Sequence, residues 1–308
     1  MSWRTVVISN SAKLDYQMGY MCVRSSRDTT RIFLKEIYMV IIESTAVSIT
    51  TALMSEFVHN KIKVVFCDEK RNPAAELLPF YGAHDCSGKL KTQIAWDDEI
   101  KELVWTEIVT EKIRKQAEHL EERSPGSGKM LYEYINQISV GDSGNREGHA
   151  AKVYFNMLFG MGFTRTEDCY ENAALNYGYS ILLSSFTGEI VSNGYSTKLG
   201  LFHDNQDNPF NLASDLMEPF RPIVDRLVCE MDLRKFDHEE KMELVNIQNH
   251  RVRINGRDEY VSNAIQIYCR SVFESINNRD ISEIIFYSNE LQVGMWRWGA
   301  FSVETKII

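Results

Sequence analysis

Short apolar bursts, each a few residues long, fill the first third of the chain. Residues 3–8 (WRTVVI), 20–24 (YMCVR), 31–35 (RIFLK) and 38–42 (YMVII) are rich in β-branched and aromatic side chains. Turn formers such as Ser9-Asn10-Ser11 and Arg27-Asp28 separate them, so each predicts a strand. Residues 47–59 then put Ile49, Leu53, Phe57 and Val58 on one helical face, and a helix interrupts the strands. A compact apolar strand, KVVFC at 63–67, ends in the polar turn DEKRNP. No glycine-rich phosphate loop follows any of these segments. Short strands at this spacing predict a small sandwich rather than a parallel sheet.

Residues 81–93 (YGAHDCSGKLKTQ) break the composition, and beyond them the apolar period becomes helical. A long charged helix is expected over 97–122, with Ile100, Leu103, Val104, Ile108 and Ile113 inward, ended by the SPGSG run. Residues 129–138 predict a second helix, followed by the polar loop GDSGN. Asn145 caps a third, NREGHAAKVYFNMLFG, with an acid in its first turn. A fourth, over 172–190, is apolar nearly all round and therefore central. After the loop GYSTKLGLFHDNQDNP comes another helix, where Pro219 and Pro222 set a kink at Glu218. Residues 237–248 and 261–277 read as two more helices, and the tail from 281 has no period. The expected fold class is α+β. Residues 1–85 form a β-sandwich domain, 86–95 a linker, and 96–308 a larger all-α-helical domain.

Composition changes this picture little. The 308 residues carry 44% hydrophobic and 25% charged side chains, ordinary for a globular protein. Six scattered cysteines without a CxxC pair argue against a zinc site and a disulfide framework, and fit reduced thiols. The N-terminus lacks a signal-peptide pattern, and no apolar run approaches the roughly 20 residues of a membrane helix. A cytoplasmic protein without membrane contact is the expectation. A net charge of −9 confines any nucleic-acid contact to local basic patches or a basic partner.

Three motifs fail on their own chemistry. SPGSGKM resembles a phosphate-binding loop, but Arg123 stands at the first glycine position and Met130 at the magnesium-binding hydroxyl. Asp204-Asn205-Gln206-Asp207 opens like a calcium loop, yet Pro209 occupies the required glycine. The His84-Asp85 pair lacks the helical partner histidines of a phosphohydrolase site. What remains is a constellation of Glu147, His203 and Glu218. Two carboxylates and an imidazole suit Mg²⁺ or Mn²⁺, with Asp215 placed to support the site. Each member also has a plain explanation. Glu147 serves the helix dipole equally well, and Asp215, Glu218 and Arg221 three apart could be a solvated helix face.

Three segments decide between these readings. NREGHAAKVYFNMLFG, LNYGYSILLSSF and FHDNQDNPFNLASDLMEPFRPIVD closely resemble the CRISPR-associated integrase, the first Cas protein and the endonuclease-like subunit of spacer acquisition. WRTVVIS, VVFCDEKRNPAAELLPFYGAHD and WDDEIKELVWTEIVTEKI resemble its N-terminal half and linker. The resemblance covers about residues 1–275, has a type II flavour, and stops before the tail that holds Trp296 and Trp298.

The resemblance implies a β-sandwich that dimerises, then an α-helical catalytic domain. It implies a metal-dependent DNA integrase, in which a fragment's 3′-hydroxyl attacks a phosphodiester of the repeat array. The family's glutamate, histidine and acidic ligands fall on Glu147, His203 and Glu218. Asp215 matches the adjacent acid, and Arg221 a basic residue near the scissile phosphate. Some relatives carry aspartate where this chain has Glu218. Arg146 and Lys152 flank Glu147 and are candidates for the DNA backbone by proximity alone. The implied partners are a second copy of the chain, DNA, and the second Cas adaptation protein, a small dimer bridging two dimers of this subunit. Other type II adaptation proteins belong to the same set. Two rival readings are a non-catalytic DNA scaffold and a general metal-dependent phosphodiesterase.

Overall fold

A computed structural model describes residues 4–26, 28–79, 85–289 and 306–307. The chain divides into two compact units, one of residues 1–82 with 292–308 and one of residues 83–291.

The first unit holds two sheets. One contains β1 (Arg4–Ile8), β5 (Ile37–Ile42), β7 (Lys63–Cys67), β8 (Pro73–Glu76) and β12 (Lys306–Ile307), in the order β12-β1-β5-β7-β8. The other contains β2 (Ala12–Gln17), β3 (Tyr20–Arg24), β4 (Thr29–Phe33) and β6 (Val47–Ile49), in the order β4-β3-β2-β6. Side chains alternate between faces. Val6 and Ile8 of β1, Val40 and Ile42 of β5, and Val64 of β7 therefore meet Leu14, Met21, Val23 and Ile32 of the facing sheet in one core. Leu53 and Phe57 of α1 (Thr51–His59) close it.

Two sheets over one core match the sandwich expected, and β2–β3–β4 pair antiparallel, but the sheet that holds β1 is mainly parallel. β12, β1, β5 and β7 run parallel, and only β7 and β8 pair antiparallel in that sheet. Parallel neighbours require crossover connections. The β2–β4 meander supplies one between β1 and β5, and β6 with α1 supplies the other between β5 and β7. Strand β5, with all six residues buried, has the continuous apolar run of a sheet covered on both faces. The segment read as one helix over 47–59 is also divided. Its first three residues pair with β2, and Thr50 caps α1 by accepting from Leu53 N at 3.4 Å.

The second unit is helical. It contains α2 (Cys86–Ile94), α3 (Asp98–Arg123), α4 (Lys129–Ile135), α5 (Arg146–Phe159), α6 (Tyr170–Ser192), α7 (Asn211–Leu216), α8 (Arg221–Glu230), α9 (His238–Val245) and α10 (Val261–Asn278). Helix α6 is buried nearly all round, as its apolar composition predicts. Gly178 permits this: a Cβ there would lie 2.5 Å from Val224 of α8, so the glycine lets the two helices close up.

Three assignments change. Residues 86–94, expected as linker, are α2 of the second unit. The tail expected in the helical domain returns to the first unit, where β12 pairs with β1, while Trp296 and Trp298 lie outside the described residues. The helical region also contains a small antiparallel sheet of β9 (Arg251–Ile254), β10 (Arg257–Tyr260) and β11 (Tyr287–Ser288). Among the described residues no helix is long and apolar enough to cross a membrane, and none of the six cysteines is paired.

Candidate active site

Helix α3 supplies the floor of the site. Ile108 and Val109 are fully buried on it, and Lys112, one turn further, continues the same face with a side chain only 7% exposed. Trp105, one turn earlier, is also buried.

The α5 N-terminus rises beside this floor. Gly141 N donates to Thr106 Oγ1 of α3 at 2.8 Å, which anchors the preceding loop. Asp142 and Asn145 then adopt left-handed backbone conformations, at φ 50° and 49°. The buried Asp142 carboxylate accepts from Arg146 N at 2.8 Å and Glu147 N at 3.0 Å, and Asn145 Oδ1 accepts from Gly148 N. Two short polar side chains thus satisfy the orphan donors of the first turn. Glu147 projects from this turn to Lys112, whose Nζ it contacts through Oε1.

The loop before α7 brings in His203. Buried Gln93 of α2 grips its start, donating to the Ser196 and Leu199 carbonyls at 2.9 Å and accepting from Ser196 N at 2.8 Å. Asp215 of α7, fully buried, organises the rest. It accepts backbone N–H bonds from Leu201, Phe202 and His203 at 2.6, 3.1 and 3.2 Å, and its Oδ1 lies 2.5 Å from His203 Nδ1. Phe202 stacks on Trp105 with ring centroids 4.6 Å apart, and His203 meets the Trp105 ring edge-on. The imidazole is therefore fixed at Nδ1, which leaves Nε2 as its available atom. The hydrogen bond to Asp215 raises the His203 pKa against the opposing effect of burial, assisted by the charges of Asp215 and Glu218.

Glu218 enters from the chain break that the prolines predict. Helix α7 ends at Leu216, Glu218–Phe220 form a 3₁₀ turn with Pro219 in its first positions, and α8 restarts at Arg221 with Pro222 in its first turn. The break aims the Glu218 carboxylate at two cations. Lys112 Nζ lies 2.5 Å from Oε2, and Arg221 Nη2 lies 3.1 Å from Oε1. Burial pushes the Glu218 carboxyl up, but Arg221 and Lys112 more than offset this and hold it below the usual glutamate value. Burial likewise depresses the Lys112 ammonium, and Glu218 and Glu147 outweigh it.

Glu147 and Glu218 are thus brought together through Lys112, with His203 and Asp215 alongside. Among the described residues, no three His, Cys, Asp or Glu side chains converge at metal-ligating spacing. Arg221 is held by Glu218 and by the Tyr179 ring, 4.9 Å from its guanidinium. Arg146 lies over Tyr134 at 5.8 Å, and Lys152 is exposed further along α5. Behind this layer Tyr179 donates to buried Asp225, whose carboxyl burial pushes up to about 6.

One of the motifs set aside has a structural role. Glu121 accepts from Gly126 N at 2.7 Å and Gly128 N at 2.9 Å, so those two donors of the SPGSG turn are already engaged. His84 lies outside the described residues. Lys112, Trp105, Asp142 and Gln93 were missed by motif reasoning. One signal for Lys112 was present: it sits four residues after Ile108 on an otherwise apolar stripe.

A family model described as CRISPR associated protein Cas1 matches residues 5–262. A CRISPR-associated endonuclease Cas1 of Neisseria meningitidis serogroup C is 35% identical over 232 residues, covering 75% of this chain and 76% of that protein. The structure of a casposase bound to integration product superposes with a TM-score of 0.75 at 18% identity, over 92% of this chain and 93% of the other. A CAS1 protein from Thermotoga maritima gives a TM-score of 0.73 at 16% identity, covering 89% and 97%. At these identities the two structures establish a shared fold. The family match over most of the chain, joined to a relative 35% identical over three quarters of each chain, places this protein in the CRISPR associated protein Cas1 family.

Proposed function

We propose that this chain is a metal-dependent DNA integrase of the endonuclease class, which inserts captured DNA fragments into a CRISPR repeat array in the cytoplasm. The meningococcal relative named an endonuclease supports the reaction class, and the casposase bound to integration product supports insertion over simple cutting. One observation on this chain carries the reading. Glu147 and Glu218, from separate elements, meet at one cationic atom beside an imidazole oriented by Asp215.

In the joining step a fragment's 3′-oxygen bonds to a repeat phosphorus while the bond from that phosphorus to the repeat's own 3′-oxygen breaks. The attacking hydroxyl loses a proton and the departing oxygen gains one, so one phosphodiester replaces another. The donor types suit Mg²⁺ or Mn²⁺ in their chemistry: two carboxylates gathered on one cation, and an imidazole whose Nε2 is unengaged among the described residues, are hard-to-borderline ligands. Glu147, Glu218 and His203 would hold the ion, which when bound neutralises charge developing on the phosphoryl oxygens. Asp215 accepts from Nδ1, fixing the tautomer that leaves Nε2 free to ligate. Arg221 keeps Glu218 ionised and lends positive charge to the reacting phosphate, while Arg146 and Lys152 contribute to holding the DNA backbone.

The partners in this reading are a second copy of the chain and the second Cas adaptation protein. A solved Cas6-RT-Cas1–Cas2 complex contains a chain that superposes on this one with a TM-score of 0.71 at 18% identity, covering 95% of this chain and 37% of that one.

The test is strand joining between a short duplex and a repeat-bearing target in Mn²⁺, with that partner present. Glu147→Gln and His203→Ala should each lower joining by about 10²-fold or more, with circular dichroism unchanged. Wild-type joining rates in either variant would remove the assignment. Equal cutting of unbranched DNA lacking a repeat would indicate a general phosphodiesterase. DNA binding unaffected by EDTA, with no joining under any condition, would indicate a scaffold.

A further inference from the structure

Lys112 has no place in the reaction described above, yet it is the hub of the site. Its side chain is 7% exposed and that of Glu218 5%. Three elements meet at its Nζ: α3 provides the ammonium, the α5 first turn provides Glu147, and the 3₁₀ turn before α8 provides Glu218. Without a cation between them, two carboxylates at such range repel each other. A buried charge stripped of its partner is strongly destabilising. Arg221 compensates only one side of the pair, through Glu218 Oε1.

We infer that Lys112 is the site's built-in counter-ion. Its ammonium holds Glu147 and Glu218 together before a divalent ion binds and gives way when one does. The inference rests on the reading that these glutamates ligate a metal. A lysine suits the exchange because its charge sits on a compact head at the end of a flexible four-carbon stem. An arginine there would pair more rigidly, by two parallel hydrogen bonds. Lys112 is thus a positioning residue. It keeps the two carboxylates gathered, and it competes with the ion for them, which weakens metal affinity in exchange for an ordered site.

Melting and metal titration of Lys112→Met and Lys112→Arg test this on the full chain. In EDTA, Lys112→Met should melt lower than wild type by on the order of 10 °C. Saturating Mn²⁺ should recover most of that loss. Calorimetric titration should show Lys112→Met binding Mn²⁺ about tenfold tighter than wild type, since no ammonium is displaced. Lys112→Arg should keep its melting temperature in EDTA and bind Mn²⁺ about tenfold more weakly. It also keeps the comparison available if the methionine variant does not fold. Unchanged melting of Lys112→Met in EDTA overturns the counter-ion role. Equal Mn²⁺ affinity in wild type and Lys112→Arg overturns the displacement while leaving the metal reading intact. No Mn²⁺ binding by any of the three, whatever their melting, overturns both.

Discussion

At the scale of single residues, the layer behind the site carries a charge problem of its own. Asp225 is 1% exposed, and burial raises its carboxyl to about 6, although Tyr179, Tyr154, Lys112 and Arg165 all favour the ionised form. A carboxyl raised in the folded state contributes stability that is complete below its ordinary value near 4 and lost as pH rises through 6. A displacement of this size corresponds to about 3 kcal/mol. Asparagine keeps an oxygen to accept from Tyr179 and carries no charge. Asp225→Asn should therefore match wild type in stability at pH 4 and exceed it by about that amount at pH 7.5, as read by chemical denaturation at both values. A constant difference across this range would rule out a buried ionising carboxylate. The buried His119, lowered by burial to about 3, loses stability on acidification in both proteins and cancels in the comparison. Legibility at this scale divides along the same line. Glu147, His203, Asp215, Glu218 and Arg221 stand out in the sequence only because the family's motifs fall on them residue by residue. Asp225 does not, and Lys112 is hinted at only by its place on the apolar stripe of α3, because a lysine on a charged helix and an aspartate on an amphipathic one look solvated until the fold buries them.

At the scale of elements, the site depends on how tightly the loop before α7 is drawn over Asp215. Gly200 makes this possible: a Cβ there would lie 2.3 Å from the His203 carbonyl oxygen and 2.7 Å from Asp215 Oδ2. Neither a backbone carbonyl nor a buried, four-times hydrogen-bonded carboxylate can yield cheaply. Gly200→Ala should cost about 1–3 kcal/mol in denaturation and lower strand joining by more than tenfold, through displacement of His203 rather than loss of any reacting group. Full activity would mean the loop accommodates the methyl and its closeness to Asp215 is incidental. The break at Glu218 was legible for a local reason, since two prolines three apart cannot continue one regular helix. The β9–β10 hairpin was equally local and was missed. Its Asn255-Gly256 turn, with φ of 50° and 72°, is the sequence pair that favours a tight hairpin, but the flanking arginines and acids masked the strands as loop. Strand direction in the first sheet was beyond reach for a different cause. Parallel or antiparallel pairing depends on which segments become neighbours, and β1 pairs with β5 and β12 across long stretches of chain.

At the scale of the whole molecule, charge becomes the constraint on DNA binding. Lys and Arg number 34 against 43 Asp and Glu. Three cations in and behind the site are already engaged within the protein, which leaves Arg146 and Lys152 for the DNA backbone. Lys112 bridges two glutamates, Arg221 pairs with Glu218 and stacks on Tyr179, and Arg165 lies over Phe155 and Tyr179. Such cations release few counterions from a phosphate backbone. Each phosphate neutralised by a protein cation contributes about −0.9 to the slope of log affinity against log salt. The chain alone should therefore bind duplex DNA with a shallow slope, on the order of −2. Adding the second adaptation protein should steepen it by several units, because the missing positive field is then supplied by the assembly. Fluorescence anisotropy between 50 and 300 mM salt, with and without that partner, measures both slopes. A steep slope for the chain alone, unchanged by the partner, would locate the basic groove on this subunit and leave its net acidity to surfaces away from the DNA. A shallow slope that the partner does not change would place DNA capture on a further component, with this subunit acting on strands delivered to it.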